Sequence, residues 1–194
     1  MSQATRIILN QQIVADSWQL VGENDALPGV LDGVLDGPLD RPLDTPGNLI
    51  VPLAYWQKHH AALAQRAGQT GVWLKGSDDP AQLQLDGAAI NLPLIAVEFA
   101  QFVDGRGSSI GRLLRQRYGF TGELRAIGDV LRDQLLALTR CGFNAFVIKE
   151  GKSLEDALHA FDEFSDAYQN TVDQPVPYSR RRLAAQANIK PARA

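Results

Sequence analysis

The sequence predicts an α/β fold in which parallel strands alternate with helices. Three mostly apolar segments, at 94–99, 124–127 and 143–148, are each followed by a segment predicted to be helical. Short connections between such units favour parallel strands joined by right-handed crossovers. The chain has 194 residues, whereas a complete eight-unit barrel typically takes about 250. We therefore predict a partial or irregular TIM-like barrel, with an open layered α/β sheet as the alternative.

The helices between these strands are predicted from their apolar spacing and their end signals. The first runs over 109–118 and is ended by Gly119. The second runs over 128–140, with Gly142 as a left-handed C-cap. The third runs over 153–168, begins with a serine cap and has apolar residues spaced close to 3.6 per turn. The other elements predicted are strands at 49–53 and 72–74, a helix at 54–67 and a short helix or turn at 78–83.

Composition changes divide the chain into four parts. Residues 1–22 are predicted to hold N-terminal strands around a turn at Asn10-Gln11. Residues 23–47 repeat a Leu-Asp pair every four residues, but their prolines and glycines oppose a helix, so a flexible loop is predicted. Residues 48–170 form the predicted α/β core domain, and residues 171–194 a loose C-terminal extension.

Charge and cysteine content narrow the classes of function. The net charge of −3 gives no general attraction to nucleic acid or to an anionic membrane. Cys141 is the only cysteine, so the sequence offers neither an intramolecular disulfide nor the thiolate set of an iron–sulfur or zinc site. The three histidines lack metal-binding spacing, and there is no GxGxxG fingerprint. We expect a cytoplasmic protein without a metal or redox cofactor, and its oligomeric state is left open.

Polar residues follow each of the three strands of the core, where parallel α/β folds gather their functional groups. Arg106 and Ser108 follow the first strand, Asp129 and Arg132 the second, and Lys149 the third. Arg106, Ser108 and Arg132 are predicted to bind an anion, because a guanidinium fork and helix-start N–H groups suit sulfate, phosphate or carboxylate. Asp129 and Lys149 are predicted as catalytic acid–base groups. All are expected to converge at one mouth of the domain.

Each of these residues also has a structural interpretation. The loop at 104–108 can be an ordinary turn in which Arg106 pairs with Asp104. Asp129 can be a helix cap, with Asp133 in a surface ion pair. A buried structural role is expected for Cys141, because a helix C-terminus disfavours the thiolate.

Four arginines of the core call for different explanations. Arg112, Arg115 and Arg117 are predicted to form a solvated cationic helix surface. Arg125 lies within a predicted strand, where a charge is costly unless it has a partner. The sequence does not identify that partner.

Several blocks of the core have a recognisable pattern. They include Phe102-Val103-Asp104-Gly105-Arg106-Gly107, Gly128-Asp129-Val130-Leu131-Arg132-Asp133-Gln134-Leu135 and Arg140-Cys141-Gly142-Phe143. Over about residues 48–168 the chain resembles a bacterial domain family of unknown function that is encoded beside assimilatory sulfite reductase. Members of that family are often labelled probable oxidoreductases of sulfite reduction. The Leu-Asp segment departs from the family pattern.

The resemblance implies a role in sulfur assimilation, and three hypotheses follow. The first is an accessory protein of assimilatory sulfate or sulfite reduction that binds an oxyanion or nucleotide-sulfate ligand or docks on sulfite reductase or another enzyme of the pathway. The second is an independent α/β-barrel-like enzyme acting on an anionic small molecule. The third is a structural adaptor. Turnover by the purified protein would favour the second, and complex formation without a ligand the third.

Overall fold

The computed structural model of the protein describes residues 5–22, 46–84, 90–164 and 168–187. Strands alternate with helices, which confirms the predicted α/β class. The strands are β1 (Arg6–Leu9), β2 (Gln12–Ala15), β3 (Trp18–Leu20), β4 (Asn48–Pro52), β5 (Thr70–Leu74), β6 (Leu94–Phe99), β7 (Glu123–Gly128) and β8 (Ala145–Phe146). The α-helices are α1 (Leu53–Leu63), α2 (Arg106–Gln116), α3 (Leu135–Arg140), α4 (Leu154–Leu158) and α5 (Tyr178–Ala187). Short 3-10 helices cover Pro80–Leu83, Arg132–Gln134 and His159–Phe161.

The strands form one eight-stranded mixed sheet in the order β2-β1-β8-β7-β6-β5-β4-β3. Neighbours from β3 to β8 are parallel. Strand β1 is antiparallel to both β2 and β8. The parallel arrangement of β6, β7 and β8 confirms the prediction made from their alternation with helices.

The sheet is curled, because its two edge strands are close neighbours in sequence. Strands β2 and β3 lie at opposite edges, yet only Asp16 and Ser17 separate them along the chain. A flat sheet of eight strands would place its edges about 34 Å apart, whereas the link can span only about 10 Å. The sheet therefore forms a half-barrel, as the predicted partial barrel requires, and the strand order is also compatible with an open layered sheet.

Buried apolar residues cover both faces of the curled sheet. One cluster, which includes Val97, Leu114 and Leu138, packs between the sheet and the helices. The other includes Ile50, Trp73, Leu94, Ala96 and Ile127 from the opposite face of the strands. The indole N–H of Trp73 donates to the Val21 carbonyl at 2.9 Å, so the buried ring has a partner for its one polar atom.

Arg125 lies on β7 with its side chain only 2% exposed. Its Nη1 and Nη2 atoms donate to the two carboxylate oxygens of Asp16 at 2.8 and 3.1 Å. Its Nε atom donates to Glu123 Oε1 at 2.7 Å. Asp16, which lies in the link between the two edges of the sheet, is therefore the partner that the sequence does not identify. The ion pair holds this link against a central strand.

Two short strands flank Asn10-Gln11 and pair antiparallel as an N-terminal hairpin. Asn10 and Gln11 adopt φ angles of 49° and 62° between β1 and β2. Two residues with positive φ make the tight turn whose twist matches that of the flanking strands.

The helix predicted over 128–140 begins later than expected. Gly128 adopts a φ of +94°, and the Asp129 N–H donates to the Phe99 carbonyl at 2.7 Å rather than starting a helix. Regular α-helix is confined to α3, after a 3-10 turn. Asp129 is thereby fixed at the end of β7 and does not cap this helix.

The last two predicted core elements are also shorter in the structure. Regular pairing of the strand predicted at 143–148 is limited to β8, although the Lys149 N–H still donates to the Val130 carbonyl at 3.0 Å. The helix predicted at 153–168 is α-helical only over α4 and continues as 3-10 helix to Phe161. Its predicted cap is confirmed, because Ser153 Oγ accepts from the Asp156 N–H at 3.0 Å.

The predicted flexible segment at 23–47 lies outside the described residues, apart from Pro46 and Gly47. In the predicted C-terminal extension, residues 178–187 form helix α5. None of the helices in the described ranges has the length and apolar character that a membrane span requires.

Replacing Arg125 by methionine would leave the carboxylates of Asp16 and Glu123 without their counter-ion. We expect Arg125→Met to lower the free energy of unfolding by about 3–5 kcal/mol, the range observed when one partner of a buried ion pair is removed. Arg112→Met, on the exposed surface of α2, should change it by less than about 0.5 kcal/mol. Urea denaturation of both variants measures the difference. An Arg125→Met protein as stable as the wild type would contradict this role of Arg125.

Candidate functional site

The candidate site is the C-terminal edge of the sheet, formed by three loops that follow β6, β7 and β8. These loops comprise residues 100–106, 129–134 and 149–163, and the last two include the short helices Arg132–Gln134, α4 and His159–Phe161. They carry four of the five predicted site residues, namely Arg106, Asp129, Arg132 and Lys149. We call this surface the C-terminal edge.

Arg106 is held by a carboxylate of its own loop. Its Nη2 atom lies 2.6 Å from Asp104 Oδ2, and its Nε lies 2.9 Å from Asp104 Oδ1. The same carboxylate also accepts the Arg106 backbone N–H at 3.1 Å, although the N-cap residue of α2 is Gly105. Hydrogen bonds from Arg106 lower the pKa of Asp104 to about 2. The pair lies over Gly76, where an added Cβ would be 3.4 Å from Asp104 Oδ2, so it occupies the β5 side of the edge.

The two glycines of this loop have different surroundings. A Cβ built on Gly107 would lie 2.7 Å from Cζ of Phe99, a buried residue of β6. One turn further along α2, a Cβ on Gly111 would lie 2.4 Å from Cε2 of Phe143. A Cβ on Gly105 would meet nothing within 4 Å. Gly107 therefore allows α2 to pack closely on the sheet.

Asp129 and Lys149 are brought together as predicted from their positions at neighbouring strand ends. Lys149 Nζ donates to Asp129 Oδ1 at 2.7 Å. Asp129 Oδ2 accepts the backbone N–H of Phe102 at 3.2 Å, which links the β7 loop to the β6 loop. The hydrogen bond from Lys149 lowers the pKa of the Asp129 carboxyl. An ionised carboxylate of lowered pKa is a weak base near neutral pH, and acid–base roles for these two residues stay a prediction.

Gln134 completes the link between the two loops, and the sequence analysis did not single it out. Its amide oxygen accepts the Leu131 N–H at 2.9 Å, and its Nε2 donates to the Phe102 carbonyl at 3.0 Å. No signal in the sequence indicated this role, because the helix was predicted to begin at residue 128, whereas its first turn begins after Leu131 in the structure.

Arg132 and Ser108, the other predicted anion-binding residues, have different partners. Arg132 Nη1 lies 2.7 Å from Asp156 Oδ1, and its Nη2 lies 2.8 Å from Glu163 Oε1. Ser108 lies within α2, close enough to the Cys141 thiol at the end of α3 to lower its pKa slightly against the larger effect of burial. The structure brings Asp129 and Lys149 into contact, whereas Arg106, Ser108 and Arg132 each have different neighbours.

Cys141 is half-buried between α2 and the end of α3. Burial raises the pKa of its thiol, and this effect exceeds the opposing ones of Arg112 and Ser108. The raised pKa agrees with the structural role expected from its place at a helix C-terminus.

A cavity of about 300 Å³ opens beside Arg132 at the ends of β7 and β8. Its charged and polar lining consists of Arg132, Asp133, Lys152, Ser153, Asp156 and Glu163. Among the described residues, no group of three or more histidine, cysteine or acidic side chains is placed to hold a metal ion.

The prediction of a solvated surface is wrong for Arg115, whose guanidinium bonds to groups of the protein. Its Nη1 donates to the carbonyls of Phe120 and Gly122 at 2.7 and 2.9 Å, its Nε to the carbonyl of Gly142 at 2.9 Å, and its Nη2 to Asn144 Oδ1 at 3.2 Å. The guanidinium is thus half-buried and fastens α2 to the loops before β7 and β8. The sequence could not predict these bonds, because the acceptors are backbone carbonyls and the Asn144 amide, none of which carries a charge.

The family model described as "Bacterial protein of unknown function (DUF934)" matches residues 71–179, which is more than half of the chain. The matched range contains all three loops of the C-terminal edge and also Arg125, but it excludes Asp16. No curated protein and no solved structure matches the chain.

The contrast between Gly105 and Gly107 can be tested by stability measurements. Gly107→Ala should lower the free energy of unfolding by about 1–3 kcal/mol, because the new methyl group overlaps the buried ring of Phe99. Gly105→Ala should stay within about 1 kcal/mol of the wild type, since nothing lies close and its φ of −78° suits alanine. Thermal and urea unfolding of the two variants give the comparison. Greater destabilisation by Gly105→Ala would contradict the packing role of Gly107.

The Asp104–Arg106 pair predicts an unusual titration. The carboxyl carbon of Asp104, followed by NMR, should titrate with a pKa of about 2 rather than the ordinary 3.8, and Arg106→Gln should return it towards 3.8. Because the pKa is lowered in the folded state, the stability that the pair contributes is present above pH 3.8 and is lost as the pH falls through about 2. A wild-type pKa near 3.8 would show that the pair does not form in solution.

Proposed function

The chain belongs to the DUF934 family of bacterial proteins, and we propose that it is an accessory protein of assimilatory sulfite reduction that docks on the reductase through the C-terminal edge. The sulfur-assimilation part of this proposal rests on the sequence resemblance described above. The docking part rests on the charge of the C-terminal edge.

Acidic side chains outnumber basic ones two to one on the C-terminal edge. The three loops carry eight carboxylates and four cationic side chains. The carboxylates are those of Asp104, Asp129, Asp133, Glu150, Glu155, Asp156, Asp162 and Glu163, and the cations those of Arg106, Arg132, Lys149 and Lys152. Arg6 of β1 adds a fifth cation to this surface, because its Nη1 lies 3.2 Å from Glu155 Oε1, and three carboxylates remain in excess. Such a surface attracts a cationic protein surface and repels a free oxyanion. This charge balance carries the proposal.

The cations that were predicted to bind an anion are already paired. Arg106, Lys149 and Arg132 each lie within 2.8 Å of a carboxylate oxygen. An incoming sulfite or nucleotide-sulfate would have to displace Asp104, Asp129, or Asp156 and Glu163 to reach them. Docking therefore fits the geometry better than oxyanion binding.

An independent enzyme acting on an anionic small molecule is the second candidate. The observation in its favour is the 300 Å³ cavity with Arg132, Lys152 and Ser153 in its lining. Turnover of an anionic substrate by the purified protein, lost in Lys152→Ala, would favour the enzyme over docking.

The proposal is tested first by growth of a deletion strain. We expect the strain to grow on sulfide or cysteine as sole sulfur source and to grow poorly on sulfate and sulfite. Equal growth on all four sources would contradict a role in sulfite reduction. Rescue by the wild-type gene controls for effects on neighbouring genes.

Direct binding to purified sulfite reductase tests the docking part. Affinity should fall as salt is raised, because exposed charges are screened within about 8 Å at physiological ionic strength. Asp133→Lys with Glu150→Lys should weaken binding roughly tenfold by opposing the partner's charge. Asp173→Lys, a single charge reversal outside the C-terminal edge, should leave it unchanged, whereas Asp133→Lys alone should already weaken it. Absence of binding at low salt would contradict docking.

A further inference from the structure

The loop after β6 ends in a turn with an unusual tip. The Asp104 N–H donates to the Gln101 carbonyl at 3.0 Å, which makes Phe102 and Val103 the two central residues of the turn. The centres of such turns usually hold glycine, proline, asparagine, aspartate or serine. Here Phe102 is 42% exposed and Val103 is 81% exposed. Turn formation does not account for two apolar side chains in solvent at this position.

The tip is held from both sides by the neighbouring β7 loop. Asp129 accepts the N–H of Phe102 at 3.2 Å, and Gln134 donates to its carbonyl at 3.0 Å. Asp129 is itself held by Lys149 at 2.7 Å, and Gln134 by the Leu131 N–H at 2.9 Å. Both backbone polar groups of one exposed residue are thus bonded to side chains from another loop. This arrangement fixes the backbone that carries the Phe102 side chain at the tip of the turn.

We propose that Phe102 and Val103 are the apolar anchor of the docking surface, and that Asp129 and Gln134 are positioning residues that present this anchor to the partner. The inference rests on the proposed docking function and names the part of the C-terminal edge that carries the affinity. An anchor fixed before binding loses less conformational entropy on association than a mobile loop would.

The surroundings of the anchor define the partner surface that it fits. The carboxylates of Asp104, Asp129 and Asp133 belong to the same loop or to the adjoining one. The complementary surface is an apolar pocket large enough for one aromatic and one branched side chain, with lysine or arginine at its rim. Apolar anchors inside a charged rim are the usual distribution of affinity in protein interfaces.

The anchor is tested with the full chain and purified sulfite reductase. Phe102→Ser with Val103→Ser should weaken binding at least about tenfold. Val176→Ser with Leu183→Ser is the matched control, because it removes one exposed valine and one large exposed apolar residue outside the C-terminal edge. It should bind like the wild type. Equal binding by the Phe102/Val103 variant and the wild type would overturn the anchor while leaving the docking proposal standing.

The positioning role of Asp129 is tested by a second matched pair. Asp129→Asn and Asp133→Asn remove the same charge from the same loop, but only the first changes the group that accepts the Phe102 N–H. Amide hydrogen exchange at Phe102 should be faster by about tenfold in Asp129→Asn and unchanged in Asp133→Asn. Reductase binding should weaken more in Asp129→Asn. Equal exchange and equal binding in the two variants would overturn the positioning role.

Two further outcomes separate this inference from the function on which it rests. If the wild type does not bind the reductase at all, the docking proposal is wrong, and so is the proposal that Phe102 and Val103 form its anchor. If sedimentation shows that the wild type self-associates and that the Phe102/Val103 variant is monomeric with unchanged reductase binding, the surface joins two copies of this chain and the inference is overturned.

Discussion

The architecture depends on one buried ionic contact, that of Arg125 with Asp16 and Glu123. A half-barrel sheet leaves its inner face open to water unless something holds its two edges together, and here the link between the edges is a single dipeptide. The planar guanidinium matches the Asp16 carboxylate with two parallel hydrogen bonds, a geometry that lysine could not reproduce. Because Arg125 and Asp129 belong to the same strand and its exit, the contact that closes the sheet also fixes the strand that ends at the candidate site.

Arginine and lysine side chains have different surroundings at the two ends of the parallel strands. Towards the N-terminal ends of the parallel strands, Arg125 and Arg115 are withdrawn from water and bonded to backbone and buried carboxylates, so their charges contribute to the shape of the fold. At the C-terminal edge, arginine and lysine are paired in the open, where each pair contributes little to stability. Such pairs can exchange partners when another surface approaches. This division between a stable end and a changeable end is typical of parallel α/β folds.

The sequence predicts those parts of the fold that depend on neighbouring residues, such as strand–helix alternation and a helix cap. The parallel order of β6, β7 and β8 followed from their alternation with helices, and Ser153 was identified as a cap. Helix α2 begins at Arg106 rather than Ser109, and the Asp104 carboxylate accepts the N–H of its first residue, a bond that the sequence alone does not identify. The partner of Arg125 lies 109 residues away, and the bonds of Gln134 to Phe102 cross between loops. Contacts of this kind depend on the completed topology and cannot be predicted from spacing.

The pairing of β1 with β8 has a consequence for how the protein is made. Ile8 pairs with Phe146, so the N-terminal hairpin emerges from the ribosome long before its neighbour in the sheet exists. At 5–20 residues per second the delay is on the order of 10 s, during which one side of β1 has no strand beside it. An unpaired strand edge can associate with other nascent chains. The sheet can therefore be completed only after most of the chain has been synthesised.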